Sequence, residues 1–228
     1  RKTRFPTLRE LFGEALRRFL VNPDLRPESS TLVDVTADVR GSDWRGSLAL
    51  FTMLTTDAID QRNVVIGSTR YRQRVNVPGS RTFGIEASGW VRVVRDVRVD
   101  GHITAMHTRG RAIADDGTDS TFRLSERPEY VGTIGASWSV QPDLTLATDV
   151  ELTGPALGLA PGDELIDLEP AAIVNARISH RFALPAVSPH GMLEFWARVR
   201  NIMDGVEMPQ LGLPAAGREI SGGVKVVL

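Results

Sequence analysis

From Thr31 to the end of the chain, apolar and polar residues alternate with a period of two, and one of the two resulting faces is free of charge. Val33, Val35, Ala37 and Val39 oppose Asp34, Thr36, Asp38 and Arg40. Phe83, Ile85, Ala87, Gly89, Val91 and Val93 oppose Glu86, Ser88 and Arg92. The division recurs around Ile103, Ile134, Leu146, Ile178, Phe195 and Val224, and no Asp, Glu, Lys or Arg falls in any of these apolar sets. Only the stretch 47–56 is apolar on both faces. Successive side chains of an extended strand point to opposite faces, so the pattern predicts strands. An arginine or lysine facing lipid at the bilayer midplane costs roughly 2–4 kcal/mol, so this exclusion is the pattern expected of membrane-spanning strands. A soluble β-sandwich also alternates, with its apolar face inward. Length favours the membrane: the predicted strands run to about 10 residues or more, against a soluble mean of about 5–6.

The connections add a second pattern. Gly41-Ser42-Asp43, Arg95-Asp96, Gln141-Pro142-Asp143 and residues 184–190 are short, whereas 59–71, 109–127, 154–170 and 202–217 are long. Short and long alternate strictly, as periplasmic turns and extracellular loops do in outer-membrane barrels. The rhythm requires residues 74–93 to form one long strand, kinked or bulged at Pro78-Gly79. Nine strands result. Bacterial single-chain barrels carry even numbers, and open edges in lipid leave backbone groups unpaired. The expected fold class is therefore all-β: an antiparallel transmembrane β-barrel, of which residues 30–228 are the C-terminal strands.

Residues 1–29 read differently. Thr7 and Glu10 have the spacing of a capping box, and Leu8, Leu11, Phe12, Ala15, Leu16 and Phe19 recur at helical spacing. A short amphipathic helix is predicted there, ending before Asn22-Pro23. The two prolines around Asp24-Leu25-Arg26 then predict a fixed, extended turn. The 228 residues contain no cysteine, which excludes disulfides and thiol chemistry, and a net charge of -1 suggests no nucleic-acid partner. No apolar run has the roughly 20 residues of a membrane helix, which says nothing of a barrel.

Six segments carry a family resemblance. Phe5-Pro6-Thr7-Leu8-Arg9-Glu10-Leu11-Phe12-Gly13 and Asn22-Pro23-Asp24-Leu25-Arg26-Pro27-Glu28 come first. Gly84-Ile85-Glu86, Arg127-Pro128-Glu129, Asn201-Ile202-Met203-Asp204 and Gly217-Arg218-Glu219 follow in order. Together they resemble the C-terminal barrel half of the TonB-dependent outer-membrane receptors. The resemblance implies a 22-stranded plugged barrel, with these nine strands as its last and residues 1–29 as an extracellular loop segment. It also implies an upstream plug domain, a TonB-type energy transducer acting through that plug, outer-membrane lipid around the wall, and uptake of a scarce nutrient such as a ferric siderophore or cobalamin. Two features depart from the family. Leu228 stands where an aromatic residue usually ends such barrels, and aromatic content is only 6%. Trp44, Phe51, Trp90, Trp138, Phe182, Phe195 and Trp196 are the candidates for a sparse interfacial girdle.

Catalysis finds little support. The serines lack a Gly-x-Ser-x-Gly context, and His102 and His107 differ by an odd number, so they point to opposite faces of one strand. No cofactor and no metal site is expected. The acidic run Asp115-Asp116-Gly117-Thr118-Asp119 lacks the spacing of a calcium loop. Arg109, Arg111 and Arg123 flank it and are the candidates to meet an anionic ligand or outer-leaflet lipid, or to pair with those aspartates. Glu86, Arg92, Arg177, Arg198 and Arg200 are expected to line the lumen and contact a plug. A passive pore, a barrel enzyme and a soluble β-sandwich binding module are the alternatives.

Overall fold

The computed structural model describes residues 1–13, 19–113, 119–160, 164–185 and 191–227. It begins with β1 (Lys2–Arg4), the helix α1 (Leu8–Phe12) and β2 (Phe19–Leu20). Four long strands follow: β3 (Glu28–Arg40), β4 (Trp44–Ile66), β5 (Thr69–Val94) and β6 (Val97–Ile113). Then come β7 (Asp119–Arg123), β8 (Tyr130–Ser139), β9 (Leu144–Thr153), β10 (Ala156–Leu159) and β11 (Leu165–Leu168). The last three are β12 (Ala171–Ala183), β13 (Met192–Arg200) and β14 (Glu219–Val227). One sheet runs β1-β3-β4-β5-β6-β8-β9-β12-β13-β14, with β2 on β5 and β7 on β6, while β10 and β11 form a separate ribbon. The nine long strands are the nine predicted ones, each beside its sequence neighbour.

The predicted continuity of residues 74–93 holds. The chain passes through Pro78-Gly79 inside β5, with Gly79 at φ +116°. A Cβ there would lie 1.9 Å from the Thr55 carbonyl oxygen, so only glycine lets the neighbouring strand approach. The short connections are as expected, residues 186–190 of the fourth lying outside the described residues. The long ones are mostly not loops. Strands β4 and β5 continue as a ribbon to a turn at Gly67 (φ +62°), β6 continues into a hairpin with β7, and β10 pairs β11 from Ala156↔Leu168 to Leu159↔Leu165. Segment 201–218 is irregular, with one bridge between Gln210 and Leu213.

Two further expectations change. The capping box of Thr7 and Glu10 is present, but α1 ends at Gly13, and Phe19 belongs to β2, pairing in parallel with Arg72 of β5. Residues 14–18 of the predicted helix lie outside the described residues, as does Leu228. The second change concerns the girdle. Trp44, Trp138, Phe182 and Phe195 lie on the charge-free face close to short connections. Phe51, Trp90 and Trp196 have the opposite parity; Arg98 covers the Trp90 ring at 4.6 Å and Arg177 the Trp196 ring at 5.2 Å. Adjacent strand residues cannot share a face, so Phe195 and Trp196 cannot both serve a girdle.

The chain divides into two compact units: Arg1–Val35, Leu50–Gly84 and His107–Leu124; and Thr36–Ala49, Ile85–Met106 and Ser125–Leu228. Both show the same inversion of a soluble protein. Val33, Val35, Leu54 and Phe83 in the first, and Val91, Ile103, Ile134, Ile178 and Phe195 in the second, are exposed. Among the described residues the buried apolar side chains are few: Leu25, Ala156, Leu157, Leu168 and Ile173. The accessible surface is 15617 Å², against about 10,000 Å² for a soluble chain of this mass. A β-sandwich would cover its apolar face with a second sheet. Here that face has no cover among the described residues, and β14 pairs only β13, so the sheet is open.

Candidate functional site: the polar face and its ion pairs

Strand register assembles the main polar cluster in the second unit. Asn175 of β12 stands opposite Asp149 of β9, and Arg177 opposite Arg198 of β13. Asn175 is fully buried. Its amide donates to Asp149 Oδ2 at 2.7 Å and to Glu151 Oε1 at 2.8 Å, and its Oδ1 accepts the Asn201 N–H at 3.0 Å. Glu151 also meets Arg200 at 3.2 Å and Arg198 at 3.7 Å, and Arg200 lies 4.0 Å from Glu219 of β14. Arg177 pairs with Glu194 at 2.9 Å while covering Trp196. Alternating acids and arginines on four neighbouring strands thus neutralise one another on one face.

The predicted residues Arg177, Arg198 and Arg200 are therefore brought together. Arg92 is not among them: it pairs with Asp43 at 3.0 Å, beside the short turn that opens β4. Glu86 is exposed on the same face of β5 and has no polar partner among the described residues. The sequence reading missed Asn175 and Asn201 as the buried centre. A signal for Asn201 lies in Asn201-Ile202-Met203-Asp204, read only as a family motif. Asn201 (φ +53°) accepts the Gly205 N–H at 2.9 Å and donates to the Gly205 carbonyl at 2.8 Å. Asp204 (φ +54°) accepts the Arg218 N–H at 2.9 Å, and Arg218 Nε donates to the Ile202 carbonyl at 3.1 Å. Two left-handed Asx residues, which tolerate that conformation better than most side chains, thus close segment 201–218 on itself and onto β12.

In the first unit, the Asn22–Glu28 turn docks on β5. Asn22 Nδ2 donates to the Arg74 carbonyl at 2.8 Å; Asn76 accepts the Arg26 N–H at 2.7 Å and donates to the Arg26 carbonyl at 2.9 Å. Arg26 also pairs with Asp57 at 2.6 Å, and Leu25 is buried. At α1, the Thr7 N–H donates to Glu10 and holds its carboxyl below the ordinary value; partial burial opposes this, and Arg4, which also reaches Glu28, adds to the lowering. Arg109, Arg111 and Arg123, expected in a loop, fall on strands. Arg109 stands opposite Arg123, and its Nε donates to His107 at 3.0 Å. The acidic residues 115 and 116 lie outside the described residues.

Among the described residues no group of three or more His, Asp or Glu side chains could hold a metal ion. Among the described residues no helix is long and apolar enough to cross a membrane, which does not bear on strands.

The profile of the family described as "TonB dependent receptor-like, beta-barrel" matches residues 1–202. No curated protein matches the sequence. Among solved structures, one described as "Copper transporter OprC" superposes with a TM-score of 0.75 at 16% identity, covering 97% of this chain and 35% of its own. The FrpB iron transporter from Neisseria meningitidis gives 0.68 at 14% identity, covering 90% and 32%. A ferric enterobactin receptor variant from Pseudomonas aeruginosa gives 0.67 at 15%, with the same coverage. The chain spans about a third of the length of these structures.

Proposed function

Because the chain belongs to the TonB-dependent receptor β-barrel family, we propose that it forms part of the wall of an outer-membrane transporter for a scarce, metal-bearing nutrient. The observation that carries this reading is the inverted sheet: an uncovered, charge-free apolar face backed by a face of balanced ion pairs. Hydrocarbon is the solvent that such an apolar face fits. The edge of β3 beyond its short pairing with β1, and the edge of β14, call for further strands to pair with them, and the greater length of the structural relatives supports their existence. A ferric siderophore is the cargo class favoured by the iron and enterobactin relatives, with copper and cobalamin as neighbouring possibilities.

On this reading the polar face is the lumen wall. Arg177, Arg198 and Arg200, with Glu86 and Arg92 on β5, hold a plug domain whose own charges complete the pairing. Ion pairs suit this role because they fix register in a confined aqueous lumen yet exchange partners when an energy transducer pulls on the plug. The self-paired arms β4–β5, β6–β7 and β10–β11 stand at the end where cargo enters. The chain performs no covalent chemistry.

The test is fractionation of the full-length product with its gel mobility before and after heating, followed by uptake of a radiolabelled ferric siderophore under iron limitation. A membrane-bound band that runs faster unheated, with uptake that requires the energy transducer, is expected. A soluble product with no mobility shift overturns the reading.

A further inference from the structure

The Thr82 and Thr108 hydroxyls meet at 3.0 Å between β5 and β6. Their contact fixes the faces of both strands: Thr82 is buried on the polar side, so its neighbours Arg81 and Phe83 point the other way, as do His107 and Arg109 beside Thr108. Arg111 follows two residues later on β6, and Arg123 stands in register with Arg109 on β7. Four arginines and a histidine therefore share the face that carries Phe83, 57% exposed. On β4, Leu50 and Leu54 are exposed as well. Arg81 is exposed and has no polar partner among the described residues, and Arg109 donates to His107, itself not an acid. Arg111 and Arg123 have polar partners of their own, so it is Arg81 and Arg109, cations beside lipid-facing side chains, that call for an anion carrying its own hydrocarbon.

We propose that Arg81 and Arg109, with His107 and flanked by Arg111 and Arg123, form a docking surface for the phosphate groups of an outer-leaflet glycolipid, its acyl chains lying along Phe83. The inference rests on the outer-membrane reading above. Guanidinium groups grip phosphate through paired N–H donors, and cations held at a lipid surface add to one another's attraction. The cluster lies at the end of β6 that bears the β7 arm, away from the short turn at Arg95-Asp96, which is the outward end in the proposed orientation. It turns away from the lumen, so the same arginines are not placed to hold cargo there.

The full-length receptor, purified from outer membranes in mild detergent, is assayed for phosphorylated lipid A retained per barrel. Each arginine is expected to contribute about fivefold, so R81A/R109A should lower retention at least tenfold, while R81K/R109K, which keeps the charge, should recover most of it. Retention unchanged in a heat-modifiable R81A/R109A barrel overturns the proposal. Wild-type protein supplies a second arm in case the variant does not fold. Refolded into vesicles containing bisphosphorylated lipid A, it should need a higher temperature to lose its fast-running band than with dephosphorylated lipid A; equal temperatures overturn the proposal. Millimolar inorganic phosphate should leave retained lipid in place, and displacement by it would assign the site to the free anion instead. A wild-type product absent from membranes overturns the proposed function, whereas a heat-modifiable barrel that retains no glycolipid overturns this inference alone.

Discussion

Replacing Asn175 tests whether the polar face holds the sheet together. Asn175→Leu keeps the volume and removes every side-chain hydrogen bond: two donated to carboxylates at 2.7 and 2.8 Å, and one accepted from the Asn201 N–H at 3.0 Å. An orphaned buried N–H costs about 1–3 kcal/mol, and a hydrogen bond to a charged group contributes about 1.5–3 kcal/mol. Glu151 keeps Arg198 and Arg200, so its loss is partly compensated. Asp149 has no such arginine in the cluster. The sum is about 3–5 kcal/mol, at the upper end for single substitutions. Asn175→Asp should cost more at neutral pH, because it places a third carboxylate within hydrogen-bonding distance of two others; like charges at about 4 Å repel by roughly 4 kcal/mol at an effective dielectric of 20. The assay is urea unfolding of the folded barrel in detergent, followed by tryptophan fluorescence, with exposed His102→Ala as a control expected within about 0.5 kcal/mol of wild type. If Asn175→Leu falls within about 1 kcal/mol of wild type, or Asn175→Asp proves the milder change, the cluster does not stabilise the sheet.

Three further outcomes follow from the geometry. Ile134→Arg, on the uncovered apolar face, should lose about 2–4 kcal/mol when the barrel refolds into vesicles, whereas Thr133→Arg on the opposite face should change little; equal costs would contradict the assignment of faces. Gly79→Ala should lose about 3 kcal/mol or more, since φ +116° and the Thr55 carbonyl leave no room for a methyl group, read as a lower temperature for loss of the fast-running band. The α1 cap should be pH-sensitive. The Glu10 carboxyl is lowered in the folded chain, so its contribution is complete above the ordinary carboxylate value and disappears as pH falls through the lowered one. Hydrogen exchange at Leu11, corrected for intrinsic rates, should show this loss of protection in wild type and not in Glu10→Gln.

The strands were legible because their chemistry repeats. A face that stays free of charge toward the short connections recurs every second residue in each long strand and survives any uncertainty about where a strand ends, and the alternation of short and long connections joins residues 74–93 into β5 despite Pro78-Gly79. The arms were not legible for the same reason: Ala156–Leu159 and Leu165–Leu168 are four-residue strands, and Gly158 interrupts the pattern of the first. Phe19 fits a helical stripe with Leu8 and Phe12, yet its backbone pairs with Arg72, a tertiary preference that local spacing does not encode. The faces of Phe51, Trp90 and Trp196 were legible, since parity alone separates Trp196 from Phe195; they were grouped by residue type instead. The Asn175 cluster was hidden because Asp149, Asn175 and Asn201 belong to different strands or their exits, and only register brings them within reach.

The β10–β11 arm carries its own ladder, from Ala156↔Leu168 to Leu159↔Leu165, and the Glu126 N–H donates to the Leu157 carbonyl near its base. Its length is therefore independent of the sheet: residues can be gained or lost at its tip without breaking any ladder in the wall. Because side chains alternate along both limbs, one added residue per limb reverses which ones point inward at the new tip, whereas two per limb restore the original facing. Diversification of such an arm is thus expected in steps of about four residues, changing how far the arm projects while the long strands of the sheet stay the same.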